Sequence, residues 1–413
     1  MQKTLATFLR AAGLPVLGVA ALCLASCVSV QETVIAQMGQ EGEAQARVVP
    51  EKTFSVLWWH KVEGTLQRPF RPIELAAPEF DPVDRRVFVA TRDGFLTAFS
   101  EAGARLWEVD LGGPFNAGPL LVNDPRSSLP QNKETAEAAS DSTLYVASGS
   151  GTLWALDPAT GEKRWSYTTT DAFMTQPVVA DDLVLAMTAA DTLIALDRAT
   201  GTWRWQYRRD LPSGLTLFGA ARPAVSGQRV FAGFADGFAV ALDLEDGGVL
   251  WARELSRAKA FRDIDGAPVL DAQGNVYFTS NSDGLFCLEA ATGNLRWNQQ
   301  RPGLTSLALN EVGNKIYAGG QGFVGLFDTK DGRMRWGREL PDAAVVTGLT
   351  STNGQLLAVN GAHPMLVIEE ESGRVRRVFE PGHGVTAPVR PGSSGEVFVL
   401  SNRGYIYGLA LHP

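Results

Sequence analysis

The sequence predicts an all-β protein, an eight-bladed β-propeller of four-stranded antiparallel blades. Three observations carry that expectation. One strand–turn–strand–turn–strand pattern recurs eight times along the chain. Most copies follow one another at roughly 40–47 residues, the length of a propeller blade. The last copy stops before its outer strand, while an unattached strand of that type precedes the first copy.

Taken in order, residues 1–26 read as an export signal. Lys3 and Arg10 form a basic start, and an apolar stretch from Ala11 to Leu24 is too short to span a bilayer comfortably. The run Leu24, Ala25, Ser26, Cys27 resembles the bacterial lipobox, in which small residues expose the bond before a cysteine that becomes lipidated. Cys27 is therefore the expected lipidation site. Val28 follows it, not the Asp that retains lipoproteins of enterobacterial type at the inner membrane, which points to the periplasmic face of the outer membrane. Two or more acyl chains give stable anchoring where one is marginal. Residues 27–53 are polar and aperiodic and read as the lipidated N-terminus and a flexible tether. The propeller is expected over 54–413.

The first strand of that body, Phe54 to Val62 with Trp58 and Trp59, resembles the Trp-bearing outer strand of the repeats. Pairing it with the last copy closes the ring and removes two exposed strand edges. The complete copies run Val87 to Trp107, Leu144 to Trp165, Leu183 to Trp205, Val230 to Trp251, Val276 to Trp297 and Ile316 to Trp336. The seventh, Leu356 to Arg377, has no Trp, and the eighth, Val397 to Leu409, ends early. In the clearest copy an alternating apolar strand from Leu144 leads to a turn at Gly151, a second strand to Asp157, a turn at Gly161 and a third strand with Trp165, each strand expected to alternate with period two. Pro119, Pro177, Pro223, Pro268 and Pro388 mark a short strand ahead of most copies. Eight blades is the count this gives, with seven the alternative. The recurrent Trp and Gly read as blade docking and turn geometry. Asn123 to Ser142, polar and containing Pro125 and Pro130, reads as a surface loop in the second blade.

Several functions are disfavoured. The formal charge is −8, and removing Lys3 and Arg10 with the signal makes it −10. With no basic cluster, nucleic acid is not an expected partner. The three cysteines and four histidines leave little for a metal site or a disulfide framework. Asp157, Asp197 and Asp243 each follow Ala-Leu and read as turn acceptors rather than metal ligands. Cys287, in an apolar run, reads as a core thiol. No nucleophile–base pair or phosphate loop is present.

The Ala-Leu-Asp, Thr-Gly and Trp blade pattern resembles the pyrroloquinoline-quinone propeller repeat, over about residues 54–413. Quinoprotein dehydrogenases share that repeat with the BamB family of periplasmic lipoproteins. The dehydrogenases commonly carry adjacent cysteines against the quinone, and no two cysteines are adjacent here. No enzyme activity, cofactor or metal is therefore expected. Two segments resemble the BamB pattern more specifically. Leu211 to Gly219 resembles the loop whose exposed leucines and Arg meet BamA, with Leu215 and Leu217 at the apolar positions. Phe218 stands where the family has Arg, and Arg222 is the candidate to supply the charge. Asp263 and Asp265, before Pro268, match the family's Asp-x-Asp, its other contact with BamA. The alternative for these residues is blade packing and turn capping.

The resemblance implies a non-enzymatic scaffold of the outer-membrane assembly machine. Its expected partners are BamA, other subunits of the machine, unfolded outer-membrane protein clients, and the membrane through the N-terminal lipid. A propeller module of another envelope complex, or a dehydrogenase, are the alternatives.

Overall fold

The computed structural model describes residues 54–62, 73–123, 142–212, 221–341, 344–361, 364–382 and 384–412. They form eight four-stranded antiparallel sheets arranged as a ring, an eight-bladed β-propeller. In blade 1 the strands run from the inside outward as Glu79–Asp81, Arg86–Ala90, Phe95–Ser100 and Arg105–Asp110. Blades 2 to 7 keep this order. Blade 8 consists of Arg390–Pro391, Glu396–Leu400, Tyr405–Leu411 and, as its outer strand, Phe54–Lys61. The N-terminal strand pairs antiparallel with Tyr405–Leu411, from Phe54 opposite Leu411 to Lys61 opposite Tyr405. The ring closes as the truncated eighth repeat requires.

The two middle strands of each blade are covered on both faces, because the neighbouring blades stack against them. Arg86–Ala90, Thr143–Ala147 and Leu183–Met187 are buried at every residue. Their sequences are accordingly near-continuous apolar runs. Partial alternation marks the outer strands, such as Lys163–Thr168, where every second side chain turns back toward the neighbouring blade. Packing between blades forms a series of cores, each shared by two neighbours.

One Trp in the outer strand of every blade but the seventh fastens that blade to the next. The indole N–H of Trp107 donates to Pro158 O at 3.1 Å, Trp165 to Arg198 O at 3.1 Å and Trp205 to Leu244 O at 3.0 Å. Trp251, Trp297 and Trp336 donate to Ala290, Thr329 and Glu370 in the same way. Trp58 of the closing strand completes the series on Glu101 O at 2.7 Å. A ring that buries roughly 150–250 Å² while its polar edge finds an acceptor secures the seam with both area and direction.

The receiving turn carries Gly because the Trp ring lies on it. A Cβ at Gly161 would stand 2.9 Å from Trp107, and one at Gly332 2.5 Å from Trp297. Blade 7 has Arg377 instead of Trp for a structural reason. Its neighbour, blade 8, takes its outer strand from the other end of the chain and so has no such turn to receive an indole. Phe379 fills that seam against Phe54 and Tyr407, edge to face at 5.6 and 5.2 Å.

Candidate functional site

In every blade the turn joining the second and third strands lies at the same edge of the ring as the connection from the outer strand to the next blade. The turns of blades 3 and 4 and the described parts of two connections therefore lie on one side of the ring beside blades 3 to 5. The connection 209–223 links outer strand Trp203–Arg208 to inner strand Ala224–Ser226, and 255–268 links Val249–Glu254 to Val269–Leu270. The turns carrying Asp191 and Asp236 belong to blades 3 and 4. The described ends of the first connection, 209–212 and 221–223, are thus neighbours of the second connection on one rim, while 213–220 lie outside the described residues.

The second connection is held by close backbone packing. Ile264 is buried in the core between blades 4 and 5, and its N–H donates to Phe234 O at 3.2 Å. Gly233 admits it: a Cβ there would fall 2.3 Å from Ile264 O. Gly266 is equally constrained, with Thr279 Oγ1 2.0 Å from its absent Cβ. Fixing Ile264 between them sets the flanking carboxylates. Asp263 is fully buried. Asp265 is partly exposed, but its Oδ1 is sealed from solvent and has no hydrogen-bond partner. Burial, with Asp263 adding repulsion, pushes the Asp265 carboxyl up to about 7.

Asp191 extends this group. Burial and the charges of Asp236 and Asp263 push it up to about 6, against the Ala235 N–H that donates to its Oδ2 at 2.8 Å and the nearby Arg209. Arg209 pairs with Asp236 at 2.5 Å, donates to Tyr207 Oη at 3.1 Å and lies over the Phe238 ring at 4.1 Å. Asp191 and Asp236 thus share the Arg209 guanidinium, and Asp191 and Asp265 are costly to ionise in the free protein. Exposed apolar side chains flank them, Leu211 at 42% and Phe261 at 38%. Phe261 holds φ +54°, a left-handed conformation that is rare for a bulky residue, while its carbonyl accepts the Ser282 hydroxyl at 2.6 Å. An acidic, partly apolar rim of this kind suits a basic, partly apolar protein surface.

Of the residues singled out in the sequence, the structure brings Asp263 and Asp265 together at this rim. Arg222 is elsewhere: its Nε is sealed from solvent and its charged neighbours are Glu79 and Arg390 of the inner strands. Leu215, Leu217, Phe218 and Cys27 lie outside the described residues. Asp157, Asp197 and Asp243 are turn acceptors, taking backbone N–H groups at 2.8, 3.1 and 2.9 Å. Cys287 is a core thiol, fully buried, its pKa pushed up to about 12 chiefly by burial. Among the described residues, no group of three or more His, Cys, Asp or Glu is placed to hold a metal ion.

Asp191 escaped the sequence reading although the repeat carries a signal for it. The second turn of blades 1, 2, 4, 5, 6 and 8 has a left-handed Gly, at Gly94, Gly151, Gly237, Gly284, Gly322 and Gly404. Blade 3 has Asp191 there, at φ +51°. A strained residue in place of a permissive one marks a position kept for its side chain.

The model of the family described as outer membrane protein assembly factor BamB matches residues 92–312. That range contains the rim. A Yersinia pestis protein of that description is 28% identical over 221 residues, 52% of this chain and 54% of the relative. The Salmonella typhimurium protein is 26% identical over 340 residues, 79% of this chain and 82% of the relative. The crystal structure of BamB from Moraxella catarrhalis superposes with a TM-score of 0.70 at 18% identity, covering 87% of this chain and all of the other. A quinohemoprotein alcohol dehydrogenase from Pseudomonas putida HK5 also superposes, with a TM-score of 0.65 at 12% identity over 87% of this chain and 76% of the other. At such identities structural likeness establishes the propeller and no more. The match over more than half of the sequence is what decides the family: this chain belongs to the BamB family of outer-membrane protein assembly factors.

Proposed function

We propose that this protein is a non-enzymatic scaffold of the outer-membrane β-barrel assembly machine, anchored by lipid at Cys27 to the periplasmic face of the outer membrane. In this reading the rim of blades 3 to 5 binds the periplasmic domains of BamA and so assists the folding and insertion of outer-membrane proteins. The observation that carries it is the acidic cluster of Asp191, Asp236, Asp263 and Asp265 beside the 209–223 connection, inside the segment matched by the family model. Leu215, Leu217 and Asp265 are the proposed contacts, with Phe261 and Leu211 as further apolar anchors. Asp263, being buried, acts through the electrostatics and position of Asp265. Arg222 has no contact role in this reading.

The test is copurification of BamA from detergent-solubilised membranes with tagged protein. Wild type should retain BamA. A variant carrying Leu215→Ala, Leu217→Ala and Asp265→Ala should lose it while melting as a folded protein. Retention of BamA by the folded variant would remove the rim from the proposal. Failure of wild type to retain BamA, with other subunits of the machine still bound, would favour a propeller module of a different envelope complex.

A further inference from the structure

The inner strands carry a second charged group, away from the rim contacts. Pairing places Glu79 and Arg390 at equivalent positions of blades 1 and 8, opposite Phe88 and Phe398 respectively. The corresponding residues of blades 2 to 5 are Leu120, Val178, Ala224 and Val269, all apolar. Arg390 pairs with Glu79 Oε1 at 2.5 Å across the seam where the ring closes. Gln176, two residues before Val178, donates to Pro119 O at 2.5 Å and to Glu79 Oε2 at 3.4 Å. Arg222, two residues before Ala224, feels the charges of both Glu79 and Arg390. Side chains from blades 1, 3, 4 and 8 therefore meet inside the ring.

The group is not balanced. Two guanidiniums face one carboxylate, and Arg222 Nε is sealed from solvent without a hydrogen-bond partner. Burial accordingly works against the charge of Arg222, and it also pushes the Glu79 carboxyl up to about 7, which leaves still less negative charge against the two cations. A buried, unpartnered donor on a cation is costly unless something completes it. Arg390, with 44% of its side chain exposed, leads from the group to solvent. The excess charge is positive inside a chain whose net charge is −8.

We propose that Arg222 and Arg390, with Gln176 and Glu79, form an oxyanion-binding site inside the propeller ring, for a phosphate or carboxylate group. Planar guanidinium forks match such oxygens in pairs, and the amide of Gln176 adds a neutral donor. This site does not depend on the rim reading and uses none of its contacts.

The experiment is thermal unfolding of the purified full-length protein with inorganic phosphate from 0 to 30 mM, ionic strength being held constant with chloride. Wild type should gain several degrees in a saturable manner. Arg222→Gln should lose that gain while melting at or above the phosphate-free wild-type temperature, because it removes a buried unpartnered charge. Arg333→Gln, at an exposed arginine in the turn between the third and outer strands of blade 6, should respond as wild type. A parallel series with succinate distinguishes phosphate from carboxylate as the preferred source. Equal phosphate gains in wild type and Arg222→Gln would overturn the site, as would no gain in wild type with either anion. If Arg222→Gln fails to fold, calorimetric titration of wild type decides: one saturating phosphate or succinate per chain supports the site, and no saturable heat overturns it.

Discussion

At Gly332 two separate demands fall on one missing atom. Its φ is +71°, and a Cβ would lie 2.5 Å from the Trp297 ring. Gly354 has nearly the same φ, +70°, with nothing within 4 Å. The pair separates backbone preference from docking. Gly354→Ala is expected to cost about 1 kcal/mol, the ordinary penalty of the left-handed region. Gly332→Ala should cost roughly 2–4 kcal/mol, since the indole must move as well. Denaturant unfolding of both proteins checks this, and equal losses would mean that the Trp does not dictate the glycine. Cys287 offers a second residue-level prediction. Buried, and with its pKa pushed up to about 12, the thiol should resist labelling in the native protein and react only as the protein unfolds. Rapid labelling at pH 8 under native conditions would contradict its place in the core.

Among the elements, the closing strand Phe54–Lys61 bears the most consequence for its length, because it supplies both the last strand of the ring and the last Trp of the series. Trp58→Ala removes the docking on Glu101 and Gly103 and should cost roughly 3 kcal/mol, with faster hydrogen exchange in Tyr405–Leu411. Trp59→Ala, at a side chain that is 57% exposed, should cost under about 1 kcal/mol. Similar losses for the two would show that the seam does not rest on Trp58. This strand was legible in the sequence because Trp58 repeats the pattern of the outer strands and because the eighth copy ends without one. Blade number and closure followed from the same repetition. Period-two alternation was a poorer guide: Leu144 to Ala147 is apolar throughout because neighbouring blades cover both faces. The rim was legible only in part. Asp263 and Asp265 stand together in sequence, whereas Asp191, Asp236 and Arg209 join them only when blades 3, 4 and 5 stack. Arg222 lies close to Pro223 in sequence, but its partner Glu79 is three blades away along the chain, a relation that no local spacing reveals.

For the molecule as a whole, buried carboxylates set the response to pH. Glu79 and Asp265 are pushed up to about 7 and Asp191 to about 6, each chiefly by burial. A carboxyl raised in the folded state keeps its proton longer there than in the unfolded chain. Its contribution to stability is therefore complete below the ordinary carboxylate range and is lost as pH rises through 6 to 7. Asp157, Asp197 and Asp328 are shifted the other way and favour folding above about pH 4. The stability maximum should fall at about pH 4, with a lower melting temperature at pH 8. Asp265→Asn should narrow that difference; an unchanged difference would mean that Asp265 ionises freely.

The same protons connect stability to docking. If a basic surface of BamA seats on the rim, its charge favours the ionised forms of Asp191 and Asp265, so binding near pH 6.5 must release protons. Calorimetry of the complex in two buffers of different ionisation enthalpy would measure that release directly, and the affinity should weaken as pH falls below about 6. Asp265→Asn should reduce the proton count as well as the affinity. Binding without proton release, at an affinity flat from pH 5.5 to 8, would mean that BamA meets a part of the ring other than these carboxylates.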